Sequence, residues 1–163
     1  MGSVSSILAT VIDPLTGARI EATTAAGYAL AFETADAGAA RNAPEPTESL
    51  LAALAACSAM DVASIMRKKR QRMASYRVAV SGEKSDEHPR IYLRISMEHR
   101  ISGEVEPAAV RRSIMLSATR YCPVNAILSR SATIEHSYRL RRDGHAEETA
   151  LVAITGPEGA TVL

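Results

Sequence analysis

Residues 48–70, ESLLAALAACSAMDVASIMRKKR, constrain the architecture of this chain more than any other segment. It is apolar on almost every helical face, which is typical of a helix that is buried on most sides. Thr47 can serve as its N-cap, Glu48 suits the positive end of the helix dipole, and the basic residues 67–70 suit the negative end. About 22 residues give a helix roughly 33 Å long. Because one small sheet cannot wrap that length, we expect a second copy of the chain to cover part of it.

Two residues interrupt this apolar helix one turn apart, Cys57 and Asp61. Their spacing places them on the same helical face. A buried free cysteine is a common small core residue, so composition alone favours a structural role for Cys57. An unpaired buried carboxylate is costly, however, so Asp61 needs a cation or backbone donors nearby. Because the charge of Asp61 raises the pKa of a neighbouring thiol, a reactive Cys57 also needs a compensating cation, most naturally an arginine.

The second cysteine, Cys122, has a different local setting. It directly precedes Pro123, at a point where a new helix is expected to begin. Cys122 then stands at the N-cap, where free backbone amides favour a thiolate. Local chemistry alone therefore makes Cys122 the better-activated thiol. An equally good interpretation is that residues 121–123 simply form a turn between two helices.

The remaining pattern predicts an α+β domain with the order βββ–α–ββ–αα–β. Three short apolar runs, SILATVID, ARIEATT and YALAFET, are predicted strands, with turns at Asp13-Pro14 with Gly17 and at Gly27. The segment ADAGAARNAPEPTE is predicted to be a loop. SYRVAVSGE and RIYLRISMEHRI are predicted to form a hairpin through SDEHP, with one face made of Ile91, Leu93, Ile95 and Met97.

The last part of the chain is predicted to contain two helices, a strand and a tail. The helices run through AAVRRSIMLSAT and YCPVNAILSRS, and TIEHSYRL is the following strand. We predict one domain over residues 1–140 and a C-terminal extension over residues 141–163. Asp143-Gly144 can turn the extension back as a hairpin strand, and a frayed tail is the other interpretation.

Composition and charge exclude several classes of function. The net charge is +1 and tryptophan is absent, which argues against nucleic acid and against a membrane surface as partners. The longest apolar run, residues 50–56, is too short to span a bilayer, and no signal peptide is expected. The four histidines (His88, His99, His136 and His145) lack metal-ligand spacing, and no Gly-rich phosphate loop occurs, so neither a metal nor another cofactor is expected. Two cysteines without a CxxC pattern suit a reducing cytoplasm.

Taken together, PTESLLAALAACSAMDVASIMRKKR and the later YCPVNAIL resemble the OsmC / organic hydroperoxide resistance family. The first segment resembles the OsmC-like branch in which the apolar helix carries a Cys-x-x-Met/Ile-Asp-Val run. The resemblance covers roughly residues 19–140. It implies an intertwined α+β homodimer in which long central helices are wrapped by antiparallel sheets.

The resemblance also implies a thiol peroxidase. Cys57 then attacks an organic hydroperoxide, Cys122 resolves the sulfenic acid as a disulfide, and a dithiol reductant of the lipoyl type restores both thiols. Arg19 corresponds to the family arginine that contacts the first cysteine. The family glutamate that holds this arginine lies ten residues before that cysteine, whereas here Glu48 lies nine residues before Cys57. Glu48 either reaches Arg19 in a differently built site or serves only the helix N-terminus.

A second function stays open at this point. The chain can keep the dimeric fold as a binding protein for a small hydrophobic ligand, with cysteines that are not catalytic. The shifted Glu48 favours this alternative. The presence of Cys57, Cys122 and Arg19 favours the enzyme.

Overall fold

The computed structural model describes residues 4–12, 19–34 and 40–163. The chain divides into two compact units, residues 1–50 and 51–163. The predicted turn at Asp13-Pro14 with Gly17 and the start of the predicted loop at residues 35–39 lie outside the described residues.

The first unit contains a three-stranded antiparallel sheet. Its strands are β1 (Ile7–Val11), β2 (Arg19–Thr24) and β3 (Ala29–Glu33), with β2 in the centre. The turn between β2 and β3 includes Gly27, whose φ of 86° is a conformation that glycine adopts without strain. The predicted three-strand start is confirmed for these residues.

The long helix α1 (Pro46–Lys68) begins in the first unit and continues through the second. The second unit then contains β4 (Arg72–Lys84), β5 (Tyr92–Glu104), α2 (Pro107–Leu116), a π-helical segment (Ser117–Tyr121), α3 (Pro123–Leu128), β6 (Thr133–Arg141), β7 (Glu148–Gly156) and β8 (Gly159–Val162). These five strands form one sheet in the order β4-β5-β6-β7-β8. The predicted α+β class is confirmed.

The pairing within the five-stranded sheet is antiparallel except at β5 and β6, which run parallel. The parallel pair follows from the chain path, because α2, the π-helical segment and α3 form the crossover between these two strands. This crossover brings the N-terminus of α3 to the helical side of the sheet. β6 and β7 form an antiparallel hairpin, which is the first of the two alternatives for the tail. The division of the chain at residue 140 stays a prediction.

The predicted buried face of β5 is wrong at its first residues. Ile91 and Leu93 are exposed, whereas Tyr92 is buried together with Ile95 and Met97. The reason is an irregular register: Glu83 pairs with Arg94 but Lys84 pairs with Tyr92, so Leu93 is an extra residue on β5. Such a bulge shifts the side-chain alternation by one residue.

Helix α1 buries one stripe within a single chain. The stripe consists of residues spaced four apart, namely Leu54, Ser58, Val62 and Met66. Leu54 packs with β5 and β6 residues in one apolar cluster, and Val62 and Met66 pack in a second cluster with α2. The other side of α1 exposes Met60 and small residues at Ala52, Ala53 and Ala56. The helix therefore keeps an apolar face that the described residues of its own chain leave uncovered.

Among the described residues, α1 alone is long and apolar enough to cross a membrane, with a mean hydropathy of 1.7 over its most apolar stretch. The same properties are typical of the core helix of a soluble protein. Its buried stripe already packs against α2 and the five-stranded sheet. The carboxylate of Asp61 and the hydroxyl of Ser58 also lie near its middle, and carboxylates are rare in lipid-facing helices.

Candidate functional site

The structure brings Cys57, Asp61 and Cys122 together. The two sulfur atoms and a carboxylate oxygen of Asp61 all lie within 4.8 Å of one another. Cys57 and Asp61 extend from one face of α1, as their spacing predicts, and Cys122 approaches from the N-terminus of α3. Cys57 and Asp61 are half-buried, whereas Cys122 is only 3% exposed. The site therefore has one thiol that solvent can reach and one that is enclosed.

The backbone around Cys122 is shaped by the π-helical segment and by Pro123. The π-helical segment ends at Tyr121, Cys122 has an extended backbone as the N-cap of α3, and Pro123 occupies the first helical turn. The amide N–H of Asn125 donates a hydrogen bond of 3.3 Å to the Cys122 sulfur. The predicted N-cap position of Cys122 is thus confirmed. Isolated π-helical turns occur frequently at functional sites.

The inference that this helix N-terminus activates Cys122 is wrong. Burial raises the pKa of the Cys122 thiol to about 12, and a hydrogen bond with Cys57 and the charge of Asp61 act in the same direction. The Asn125 amide acts in the opposite direction and is outweighed. A short helix offers little to a thiolate that loses its hydration on burial. Cys122 is therefore a protonated thiol at neutral pH.

Asp61 is held by a serine hydroxyl. Ser117 donates a hydrogen bond of 3.0 Å to Asp61 Oδ2, and the hydroxyls of Ser117 and Ser58 lie 3.1 Å apart. Within the described part of the chain, no salt bridge reaches Asp61. Within these residues Asp61 thus has a neutral donor on the π-helical segment, and the expected cation beside it stays a prediction.

A series of hydrogen-bonded, buried polar groups holds the backbone around Cys122 from the side of the sheet. The Asn125 side chain donates a hydrogen bond of 2.8 Å to the Ala118 carbonyl and accepts one of 3.3 Å from Thr155. The Thr155 hydroxyl also lies 3.4 Å from Nε2 of His136. These contacts tie the start of α3 to β7 and β6, so the position of Cys122 is fixed by the sheet.

Two histidines are fully buried on the helical side of the sheet. His99 lies 2.7 Å from the Tyr76 hydroxyl through Nδ1, and both His99 Nε2 and His136 Nδ1 have no partner among the described residues. Burial lowers the pKa of His99 to about 3, with the nearby His136 acting in the same direction, and burial lowers the pKa of His136 to about 4. Both imidazoles are therefore neutral at neutral pH.

The other two predicted site residues have partners within the first unit. Arg19 is bonded to Glu33, its cross-strand neighbour, and to Glu21 at 3.1 Å. Glu48 accepts hydrogen bonds from Arg41 at 3.0 Å and from the backbone amide of Glu45 at 2.8 Å. The second of these bonds satisfies a free amide at the start of α1, so Glu48 does serve the helix N-terminus. The role of Arg19 towards Cys57 stays a prediction.

Sequence reasoning missed three residues that shape these sites. Ser117 and Asn125 contact the cysteine site from the π-helical segment and α3. The only sign of them in the sequence was that both are polar residues close to Cys122. Glu33 holds Arg19, and the hairpin register that pairs the two residues could have identified it.

The chain is similar to known proteins over most of its length. The family model described as OsmC-like protein matches residues 38–137. Protein YhfA of Escherichia coli strain K12 is 37% identical over 106 residues, which are 64% of this chain and 79% of YhfA. A hypothetical protein from Aquifex aeolicus VF5 is similar in structure, with a TM-score of 0.76 and 25% identity over 87% of this chain and 99% of that chain.

A more distant likeness extends to a protein described by its function. An organic hydroperoxide resistance protein OsmC from Legionella pneumophila has a TM-score of 0.63 and 12% identity, and covers 84% of this chain and 98% of its own. At this identity the likeness shows the fold alone. The family match, the relative and the shared fold agree, and the chain belongs to the OsmC-like protein family.

Proposed function

We propose that this protein is a thiol-dependent peroxidase that reduces organic hydroperoxides, with Cys57 as the peroxidatic cysteine and Cys122 as the resolving one. The observation that carries the proposal is the meeting of the two thiols in one site, within 4.8 Å, with different exposure. The half-buried Cys57 is accessible from solvent, whereas the enclosed Cys122 is not. The name of the Legionella pneumophila relative, an organic hydroperoxide resistance protein, supports the same chemistry.

In the first step, the Cys57 thiolate attacks the distal oxygen of the hydroperoxide. The O–O bond breaks, the alkoxide leaving group takes a proton and departs as an alcohol, and Cys57 becomes a sulfenic acid. Sulfur is oxidised by two electrons and the peroxide is reduced by two. The S–H of Cys122 is well placed to donate a hydrogen bond to the Cys57 thiolate, since its own pKa of about 12 keeps it protonated.

In the second step, Cys122 condenses with the Cys57 sulfenic acid. A disulfide forms, the S–O bond breaks, and the hydroxyl leaves as water with the Cys122 proton. A sulfur–sulfur bond is about 2.05 Å long, so both side chains have to move closer than they are in the reduced site. A dithiol reductant of the lipoyl type then exchanges with the disulfide, restores both thiols and leaves as its own disulfide.

Arg19 and Glu48 are proposed site residues that rest on the family resemblance. Glu33 supports this role for Arg19 by holding its guanidinium, as the family glutamate does. Glu48 contributes through its bonds to Arg41 and to the α1 N-terminus. If the proposal holds, Arg19→Ala lowers the peroxidase rate far more than Arg72→Ala, which removes an exposed ion pair with Glu104 outside the proposed site.

We also propose a homodimer in a reducing cytoplasm, formed through the uncovered face of α1. Met60 is 74% exposed on that face, beside three exposed alanines, and small residues allow two helices to pack closely. Met60→Asp should shift sedimentation velocity from dimer to monomer at micromolar concentration. Val162→Asp, on the exposed edge strand β8, is the matched control and should leave the dimer intact. A folded monomer of the unmodified protein would contradict the dimer.

The experiment that tests the function counts thiols. The fully reduced protein is mixed with one equivalent of cumene hydroperoxide, and free thiols and remaining peroxide are measured together. We expect one peroxide to be consumed for every two thiols lost, followed by full recovery of thiols with dihydrolipoamide. A protein that keeps both thiols and leaves the peroxide unchanged would favour the alternative, an OsmC-fold dimer that binds a small hydrophobic ligand.

A further inference from the structure

We propose that the reduced site binds one Zn²⁺ ion through the sulfur atoms of Cys57 and Cys122 and a carboxylate oxygen of Asp61. Bound zinc holds the two thiols in a form that a hydroperoxide does not reach, so the ion regulates the site. The regulatory meaning rests on the proposed peroxidase function, whereas the binding itself does not.

The ligand set and its spacing fit a tetrahedral zinc ion. Zinc binds cysteine sulfur at about 2.3 Å and carboxylate oxygen at about 2.0–2.2 Å, so two sulfur ligands of one ion lie about 3.8 Å apart. In the reduced site the three candidate atoms already lie within 4.8 Å of one another. They therefore need to close by about 1 Å or less, which side-chain rotation on α1 and at the α3 N-cap can supply.

Two of the three ligands are already oriented by neighbours. Ser117 donates to Oδ2 of Asp61 at 3.0 Å, and the Asn125 amide donates to the Cys122 sulfur at 3.3 Å. Donors of this kind fix ligand orientation in known metal sites. Cys57 and Asp61 are half-buried, so the ion has a path from solvent and a fourth position remains for water.

The negative charge of Asp61 favours a dication in this site and disfavours a thiolate without a cation. Its carboxylate lies beside two thiols, and no described salt bridge neutralises it. Binding of Zn²⁺ replaces two thiol protons, which pass to the buffer, and leaves a site with two thiolates, one carboxylate and one dication. The same carboxylate disfavours a thiolate when no cation is present.

The test uses the full-length reduced protein under anaerobic conditions and zinc alone, with no peroxide. Zinc is titrated in competition with a chromophoric chelator, and proton release is followed in a weak buffer. We expect one ion per chain and about two protons released. Substitution by Co²⁺ should give thiolate-to-metal charge-transfer absorption in the near ultraviolet.

Variants assign the ligands. Ser117→Ala should weaken binding roughly 10–100-fold, as loss of an orienting partner does. Asp61→Asn and Cys122→Ser should weaken it further, since each removes a ligand. Asp143→Asn, an exposed aspartate far along the chain, is the matched control and should bind like the unmodified protein. Binding that persists at full strength in both Asp61→Asn and Cys122→Ser would overturn the proposal.

Oxidation of the unmodified protein keeps the test valid if a variant does not fold. Diamide converts the two thiols to a disulfide without changing the sequence, and this form should lose zinc binding. Binding that survives oxidation, or an unmodified reduced protein that binds no zinc, would overturn the inference. Zinc binding by a protein whose zinc-free, reduced form consumes no peroxide would instead contradict only the peroxidase, so the two failures are distinguishable.

Discussion

Two regions of the chain, the middle of α1 and the N-terminus of α3, each carry a thiol, and the two thiols lie in opposite settings. Cys57 lies in the middle of a 23-residue helix, without access to free amides, yet it is half-buried and open. Cys122 stands at a helix N-terminus with an amide donor, yet it is enclosed and its pKa is raised to about 12. In this protein, burial outweighs the helix N-terminus in setting thiol chemistry. The comparison supports the proposal that Cys57 attacks the peroxide and Cys122 resolves the sulfenic acid.

The largest expected effect comes from exchanging each thiol for a hydroxyl. Cys57→Ser should reduce peroxide turnover with a dithiol reductant to background, because the attacking sulfur is lost. Cys122→Ser should consume one equivalent of peroxide quickly to form the Cys57 sulfenic acid, and a second one slowly as that acid over-oxidises to the sulfinic acid, without turnover. Stopped-flow measurement of peroxide consumed per chain separates the two patterns. If both variants lost all peroxide consumption, the different settings of the two cysteines would not give them different roles.

The second prediction concerns alkylation of the two thiols in the folded, reduced protein. A pKa of about 12 leaves roughly 10⁻⁴ of Cys122 as thiolate at pH 8. Iodoacetamide should therefore label Cys57 at least about 100-fold faster than Cys122, as followed by peptide mass spectrometry. The control is the same reaction in concentrated urea, where the two rates should converge. Faster labelling of Cys122 in the folded protein would reverse the comparison.

The third prediction tests the buried polar chain that supports the Cys122 turn. The pKa of His136 is about 4 in the folded protein, below its ordinary value of 6.5. The unfolded chain therefore binds more protons below pH 6.5, and the free energy of unfolding falls as the pH drops from 6.5 to about 4. The fall attributable to His136 reaches about 1.4 kcal/mol per pH unit.

His136→Gln should remove the share of His136 from the slope of this part of the pH profile, while His99 keeps its own share, as measured by urea unfolding at several pH values between 7 and 4. His145→Gln, which replaces an exposed histidine, is the control and should keep the steep profile. An unchanged slope in His136→Gln would mean that His136 titrates normally in the folded protein. The contacts that link His136 through Thr155 to Asn125 would then be weaker than their distances of 3.4 and 3.3 Å indicate.

The smallest expected effect belongs to Asp61. Its charge is a minor contributor to the raised pKa of Cys122. Asp61→Asn keeps an acceptor for the Ser117 hydroxyl and removes the negative charge, so thiol alkylation near neutral pH should speed up by roughly threefold to tenfold. The pH dependence of alkylation for each cysteine is the readout. A slower reaction would mean that the contacts of Asp61 affect thiol reactivity more than its negative charge does.

The sequence predicted the parts of the site that depend on local spacing. The helical repeat placed Cys57 and Asp61 on one face, and Pro123 correctly marked the start of α3 with Cys122 at its N-cap. The order of strands and helices up to β6 also followed from alternation and turn residues. Each of these features is fixed within a few residues of chain.

Features that depend on long-range packing were not predictable in this way. Burial of Cys122 depends on the sheet that α3 packs against, and it reversed the argument from the helix N-terminus. The bulge at Leu93 depends on pairing with β4, and it changed which residues of β5 face the core. Likewise, Ser117 reaches Asp61 only because the crossover folds back onto α1.

The most direct test of the central claim traps the sulfenic acid. Cys122→Ser protein is reduced, mixed with one equivalent of cumene hydroperoxide in the presence of dimedone, and digested for mass spectrometry. We expect a dimedone adduct on Cys57, and in the unmodified protein a disulfide between Cys57 and Cys122 in its place. The assignment of Cys57 as the attacking thiol would be contradicted if Cys57→Ser protein formed a dimedone adduct on Cys122 about as fast as the unmodified protein consumes peroxide.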